Sequence, residues 1–184
     1  MTFGRPSRSA GWKLGVVLLV VVAAAILVSR TGAQVPPSTT VSTQPGSWEL
    51  PRLDGPGSVK LADLHGRPTV VDFFASWCEA CKGELPGMAT VSTALRGKVN
   101  FVAVASQENG DALAMARTYK VDWWPLARDV GGTQASGLHD ALGARGMPLT
   151  AFYDGSGNVL TVVFGAISEA DLRSRIQALY GITA

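Results

Sequence analysis

Residues 48–184 predict an α/β fold in which a mixed β-sheet is covered on both faces. Three observations carry that prediction. β-branched and aromatic runs alternate with helix-forming stretches through most of the segment, and two β-rich runs near its end are separated only by a glycine-rich turn. The two cysteines of the chain, Cys78 and Cys81, stand where the first long apolar run gives way to the first helix-like stretch.

What precedes this domain is of a different kind. The chain of 184 residues has a net charge of +2 and is 47% hydrophobic, averages that mix two unlike parts. Arg5, Arg8 and Lys13 come before an apolar run over residues 14–28, and Arg30 follows it. The run is short for a bilayer span of roughly 17–25 residues, but Gly11, Trp12 and Ser29 extend it, and the cation bias predicts an inside N-terminus and an outside C-terminus. The same pattern fits a cleavable signal peptide with a small-residue site around Thr31-Gly32-Ala33. Arg30 and the long Val/Leu-rich run favour a transmembrane anchor over residues 1–30; cleavage would give a secreted protein, and either way the domain is exported. Residues 31–47 are rich in Ser, Thr and Pro with no apolar period, which predicts an extended, disordered tether.

Within the domain, Trp48-Glu49-Leu50 and residues 58–61 read as short edge strands about the turn Asp54-Gly55-Pro56-Gly57. Residues 62–68 lead by a helical turn or loop into a central strand, Thr69 to Ala75. The next helix runs from about Cys78 to Leu95 and should kink at Pro86, since proline lacks an N–H and crowds the preceding turn. A second buried strand covers residues 99–105. Asp111 to Tyr119 reads as a helix, residues 121–125 as irregular, and Gly132 to Leu142 as a shorter helix. The hairpin pairs Leu149–Tyr153 with Val159–Phe164 about residues 154–158, and a helix beginning at the N-cap Ser168, with Asp171 in its first turn, closes the chain.

A cysteine pair at a strand-to-helix junction has a specific chemistry. The first turn of a helix offers unpaired N–H groups and the positive end of the dipole, which favour a thiolate and can lower a cysteine pKa from about 8.5 to roughly 3.5–7.5. Residues i and i+3 have Cβ atoms about 5–6 Å apart, so Cys81 can displace a partner from a mixed disulfide on Cys78. A static disulfide would close too small a loop to stabilise much. Zinc needs about four ligands, and only His65 and His139 accompany the cysteines, so no metal is expected. Two unpaired buried cysteines would be a coincidence at this junction. A redox dithiol that needs no cofactor fits best. Basic and acidic residues are interspersed, so nucleic acid is not an expected partner.

In these elements the domain resembles the thioredoxin superfamily, specifically the membrane-anchored TlpA/ResA/DsbE-like thiol–disulfide oxidoreductases of the bacterial envelope. The motifs are residues 61–68 before the strand, Phe74-Ala75-Ser76-Trp77-Cys78-Glu79-Ala80-Cys81, Glu84-Leu85-Pro86, Gly146-Met147-Pro148-Leu149-Thr150 and Asp154-Gly155-Ser156-Gly157. The resemblance implies a thioredoxin fold, with Cys78 as the exposed nucleophile and Cys81 as the buried resolving thiol. It implies that Pro148 follows a cis peptide bond opposite the dithiol, where the backbone of Met147 pairs with an extended substrate, and that Trp77 shields the site or else packs in the core. Asp72, six residues before Cys78, matches the buried acid of cytosolic thioredoxins, and Glu84 matches the acid of ResA-like reductases. An acid beneath Cys81 would be raised by desolvation and could take that thiol's proton; a solvated Glu84 on a first helical turn is the plainer alternative.

The expected protein is therefore an extracytoplasmic thiol–disulfide oxidoreductase, monomeric and tethered to the cell membrane, acting on protein cysteines with a membrane electron donor or acceptor. Ala80 replaces the proline that many relatives carry before the second cysteine, and a negative Glu79 beside Cys78 should disfavour its thiolate and point toward a reductant, with apocytochrome c thiols as a candidate substrate. A disulfide-forming oxidant is the first alternative. The second is a binding or copper-delivery module, which would need His139 or Met147 close to Cys78. A peroxidase fits less well, for no Thr-x-x-Cys pattern is present.

Overall fold

The computed structural model describes residue 1, residues 43–129 and residues 137–183. The anchor expected over residues 1–30 and most of the tether lie outside the described residues. No helix among the described residues is long and apolar enough to cross a membrane. Residues 43–47 do not continue an extended tether, since the Ser47 amide closes a turn on the Gln44 carbonyl (3.0 Å).

A two-stranded antiparallel ribbon, β1 (Glu49–Pro51) and β2 (Ser58–Lys60), opens the domain, and a single 3₁₀ turn follows at Leu61–Leu64. The main sheet has five strands in the order β5-β4-β3-β6-β7, built from β3 (Thr69–Phe74), β4 (Asn100–Ala105), β5 (Leu126–Arg128), β6 (Leu149–Tyr153) and β7 (Val159–Phe164). β3, β4 and β5 are parallel, and β6 and β7 run against them. Among the described residues four helices connect or close these strands: α1 (Glu79–Ala94), α2 (Ala112–Thr118), α3 (Leu138–Ala141) and α4 (Glu169–Tyr180).

Right-handed crossovers decide which face a helix between parallel strands covers. The connections β3-α1-β4 and β4-α2-β5 step outward in one direction, so α1 and α2 share a face, and their packing agrees. The β5-α3-β6 connection joins antiparallel strands and falls outside that rule; its packing places α3 on the other face. Cys81, Leu85 and Met88 of α1, Met115 of α2, and Leu172 and Ile176 of α4 form one core with Val70 and Phe74. Leu138 of α3 joins Trp48, Leu50 and Leu61 in a second core with Val71 and Phe73. β3 is wholly buried, and its residues alternate between the two cores, as a period of two requires.

Several expected elements differ in extent. The strand β5 falls just after a stretch read as irregular, and the ladder of β4 organises it. The helix expected over Gly132–Leu142 is four residues long where it is described, from Leu138, with residues 130–136 outside the described residues. α1 is assigned continuously through Pro86. A Cβ on Gly87 would stand 3.0 Å from Glu169 Cβ, so this glycine lets α1 and the start of α4 pack closely beside the site.

Candidate active site

β3 delivers the dithiol. The chain leaves the strand at Phe74, and the Cys78 amide turns back to donate to the Ala75 carbonyl (3.0 Å). Cys78 is the N-cap of α1, one position earlier than the first-turn placement expected, with extended backbone (φ −84°, ψ 105°). Its sulfur therefore occupies the place of a capping oxygen and accepts the Cys81 amide at 3.1 Å. The end of the helix thus meets the sulfur through a hydrogen bond as well as through the dipole, and both favour a negative charge there. Cys78 and Cys81 are joined as a disulfide, with an S–S distance of 2.09 Å and Cα atoms 5.3 Å apart.

The two sulfurs are not equally hidden, though the difference is smaller than the resemblance implies. Cys81 is fully buried and Cys78 retains 4% of its surface. Cys78 lies in the apolar cluster with Phe74, Ala75 and Cys81, and Met147 packs against that cluster, so in the oxidised state only a narrow approach to the leading cysteine remains. Trp77 is not a core residue. It is 45% exposed, and its indole N–H donates to the Gln107 carbonyl at 2.8 Å.

Glu108 is the residue that sequence reasoning missed here. Its carboxylate accepts the Ser76 amide (2.7 Å) and hydroxyl, together with the Asn109 and Gly110 amides. Partial burial pushes this carboxyl up, but those hydrogen bonds outweigh it and hold the group below the usual carboxylate range. The loop after β4 is thereby stitched to the turn that carries Trp77. Only the fold brings residues 76 and 108 together, and no local spacing signals it.

The two acids meet on the face that carries the dithiol helix. Asp72 sits in mid-strand, paired in register with Ala103 and Thr150, and points to the same side as Val70 and Phe74. It is completely buried, and neither carboxyl oxygen has a hydrogen-bond partner. Burial pushes its pKa up to about 7. Glu84 is not solvated: it keeps 4% exposure on the buried stripe of α1, with Cys81, Leu85 and Met88 at helical spacing. Its Oε2 accepts the Ile167 amide at 2.8 Å, and its Oε1 has no partner. Burial first, and then the Asp72 charge, push Glu84 up to about 9 against the opposing Ile167 hydrogen bond.

Opposite the dithiol, the Met147–Pro148 bond is cis, as the resemblance implies. Leu149 pairs with Phe73 across antiparallel β3 and β6, which places Met147 and Pro148 at the sheet end where Cys78 emerges. A cleft of about 500 Å³ opens beside Met147, lined by Gly143, Arg145, Gly146, Phe164 and Gly165, with Phe164 61% exposed. The two histidines do not complete a metal site. His139 is buried against Phe73, in the core on the opposite side of the sheet from the Cys78 helix, and His65 lies beside Gly157. Among the described residues no group of three or more His, Cys, Asp or Glu could hold a metal ion.

A parallel–antiparallel sheet with a two-cysteine helix cap facing a cis-proline loop defines the class: a thiol–disulfide oxidoreductase of thioredoxin-like fold. The chain belongs to the AhpC/TSA family, whose pattern it matches over residues 41–161. It is 28% identical over 144 residues to the thiol:disulfide interchange protein DsbE of Pseudomonas fluorescens biotype C, a match covering 78% of each chain. It is 32% identical over 114 residues to the thiol–disulfide oxidoreductase ResA of Bacillus subtilis (strain 168), covering 61% of each chain. Among solved structures it resembles MTB DsbF, captured in mixed oxidised and reduced forms, with a TM-score of 0.61 and 30% identity over 76% of this chain and 99% of that one.

Proposed function

We propose that the protein works outside the cytoplasm as a reductant of protein disulfides, held at the membrane by residues 1–30, monomeric, and recharged by a membrane electron donor. The Cys78 thiolate attacks a substrate disulfide, forming a mixed disulfide and expelling the other substrate sulfur as a thiolate. Cys81 gives its proton to the Asp72–Glu84 pair and attacks Cys78 Sγ, which closes the Cys78–Cys81 disulfide and frees the second substrate sulfur. Two electrons pass from the dithiol to the substrate. Met147 and Pro148 present a backbone edge to the substrate, Trp77 screens the leading sulfur, and apocytochrome c is the candidate substrate.

One observation carries this reading: two buried carboxyl groups, three of whose four oxygens lack a partner, lie on the dithiol face with no cation paired to them among the described residues. Near neutral pH Asp72, pushed up to about 7, is ionised part of the time, and a carboxylate there disfavours a thiolate above it and so favours the disulfide form, which is what a reductant requires. Glu79 supports the direction less than its position suggests. Its side chain is 83% exposed and ion-paired with Lys82, so water and a cation absorb its field. Titration against dithiothreitol tests the direction. A potential near the thioredoxin value of about −270 mV supports the reductant, and one near about −120 mV assigns the protein to disulfide formation. A Cys81→Ser variant should trap the substrate on Cys78, identifying it directly.

A further inference from the structure

His139 has no place in the dithiol chemistry, yet it is fully buried, and its setting is built with care. Its Nε2 lies 3.1 Å from the Gly146 carbonyl oxygen. A carbonyl only accepts, so Nε2 carries the proton and Nδ1 is the bare nitrogen. Nδ1 has no hydrogen-bond partner, and the nearby Asp140 Oδ1 stands off at 3.7 Å. The ring rests against Phe73, with centroids 5.7 Å apart, on the strand that leads to the dithiol.

α3 is itself moored. Asp129, just past β5, accepts the Leu138 amide (2.8 Å), the His139 amide (3.2 Å) and the Ser106 hydroxyl (2.8 Å). A Cβ on Gly137 would collide with this carboxylate, so the chain approaches it as closely as only glycine can. The segment that follows is surface chain: Gly143, Arg145 and Gly146 are all exposed, and Ala144 alone is buried. Between the Ala144 amide, which donates to the His139 carbonyl (3.2 Å), and β6, the imidazole reaches out and holds the carbonyl immediately before Met147. An aliphatic side chain would fill the same space without burying a bare nitrogen, so packing alone does not account for a histidine here.

We propose that His139 is a positioning residue for protein substrates. By fixing the Gly146 carbonyl to α3, and through Asp129 to the ends of β4 and β5, it sets the peptide plane that orients the Met147 backbone toward an extended substrate segment. The inference rests on the reading of Met147 and Pro148 as the docking edge. A small dithiol that attacks the disulfide without lying along that edge does not depend on the pin.

The test compares His139→Leu, similar in bulk but without a donor, with His139→Gln, whose amide nitrogen reaches the Nε2 position. Insulin serves as the protein disulfide and dithiothreitol as the small reagent. His139→Leu should raise KM for insulin about tenfold with kcat changed less than about twofold, leave the dithiothreitol rate within about twofold, and His139→Gln should recover most of the loss. An unchanged KM in His139→Leu, or insulin and dithiothreitol rates falling together, overturns the proposal. Pro148→Ala separates the two readings: if it too leaves the insulin KM unchanged, the docking edge itself is wrong, whereas a raised KM there with none in His139→Leu sinks the pin alone. Should His139→Leu not fold, ¹⁵N spectra of the unaltered protein decide. Protonation at Nε2 with a scalar coupling to the Gly146 carbonyl supports the pin, and the Nδ1–H tautomer overturns it.

Discussion

Two buried carboxylate sites flank the same sheet, and they are equipped in opposite ways. Asp129, 8% exposed at the end of β5, receives a hydroxyl and two backbone amides. The Asp72–Glu84 pair is as deeply buried and receives a single amide, from Ile167. A buried carboxylate supplied with donors is stable as an anion and serves as a joint; one left without them is costly as an anion and holds a proton instead. The difference separates architecture from the proposed chemistry: Asp129 ties α3 to two strands, while Asp72 and Glu84, buried on the dithiol face with one amide between them, are the pair to which the proposed mechanism gives the proton of Cys81.

The contrast can be broken most forcefully at Asp129. Asp129→Ala strands three buried or partly buried donors and should destabilise the domain by about 3 kcal/mol in urea unfolding, leaving the redox potential nearly unmoved. A shift of potential with little loss of stability would mean that the two sites have been assigned the wrong way round. At the other site, Glu84→Gln and Asp72→Asn should slow resolution of the mixed disulfide by about 10²-fold in the double variant, read by stopped-flow reduction of a protein disulfide. Wild-type rates in the double variant would remove the pair from the mechanism.

The pair also sets how stability follows pH. Unfolded Asp and Glu lose their protons near about 3.9 and 4.3, whereas in the fold Asp72 is raised to about 7 and Glu84 to about 9. Within that window the folded state binds more protons than the unfolded chain, so stability falls as pH rises from about 4 to about 9, by up to about 1.4 kcal/mol per pH unit for each acid. Below the unfolded values both states are protonated and the penalty is absent. Denaturation midpoints at about pH 5 and about pH 9 should therefore diverge in the wild type and converge in Asp72→Asn,Glu84→Gln. The smallest effect is expected at Glu79. Glu79→Gln removes an exposed charge already paired with Lys82 and should move the potential by less than about 30 mV in a redox titration.

Much of this site was legible because its signals are local. The Cys78–Cys81 spacing, the β-branched run before it, the glycine turn at 154–158 and the Ser168 cap each act within a few residues, and each forms where its chemistry directs. For Glu84 the sequence leaves two readings open, a buried acid beneath Cys81 or a solvated one on the first helical turns, and the buried stripe it shares with Cys81, Leu85 and Met88 decides for burial. What escaped depends on distant partners. β5 is three residues whose strand form comes from pairing with β4, the Glu108 clamp joins residues 32 apart, and Asp129 meets Ser106 across 23. Side-chain type at one position cannot announce a hydrogen bond that only the crossovers create.

The most direct measurement is a titration of the Asp72 and Glu84 carboxyl carbons by ¹³C NMR in the oxidised and reduced protein, with each single variant used for assignment. Both groups should hold their protons at about pH 6, lose them only across the neutral to alkaline range, and shift when the disulfide is reduced. Two carboxyls that titrate near about 4 and ignore the redox state would contradict the account.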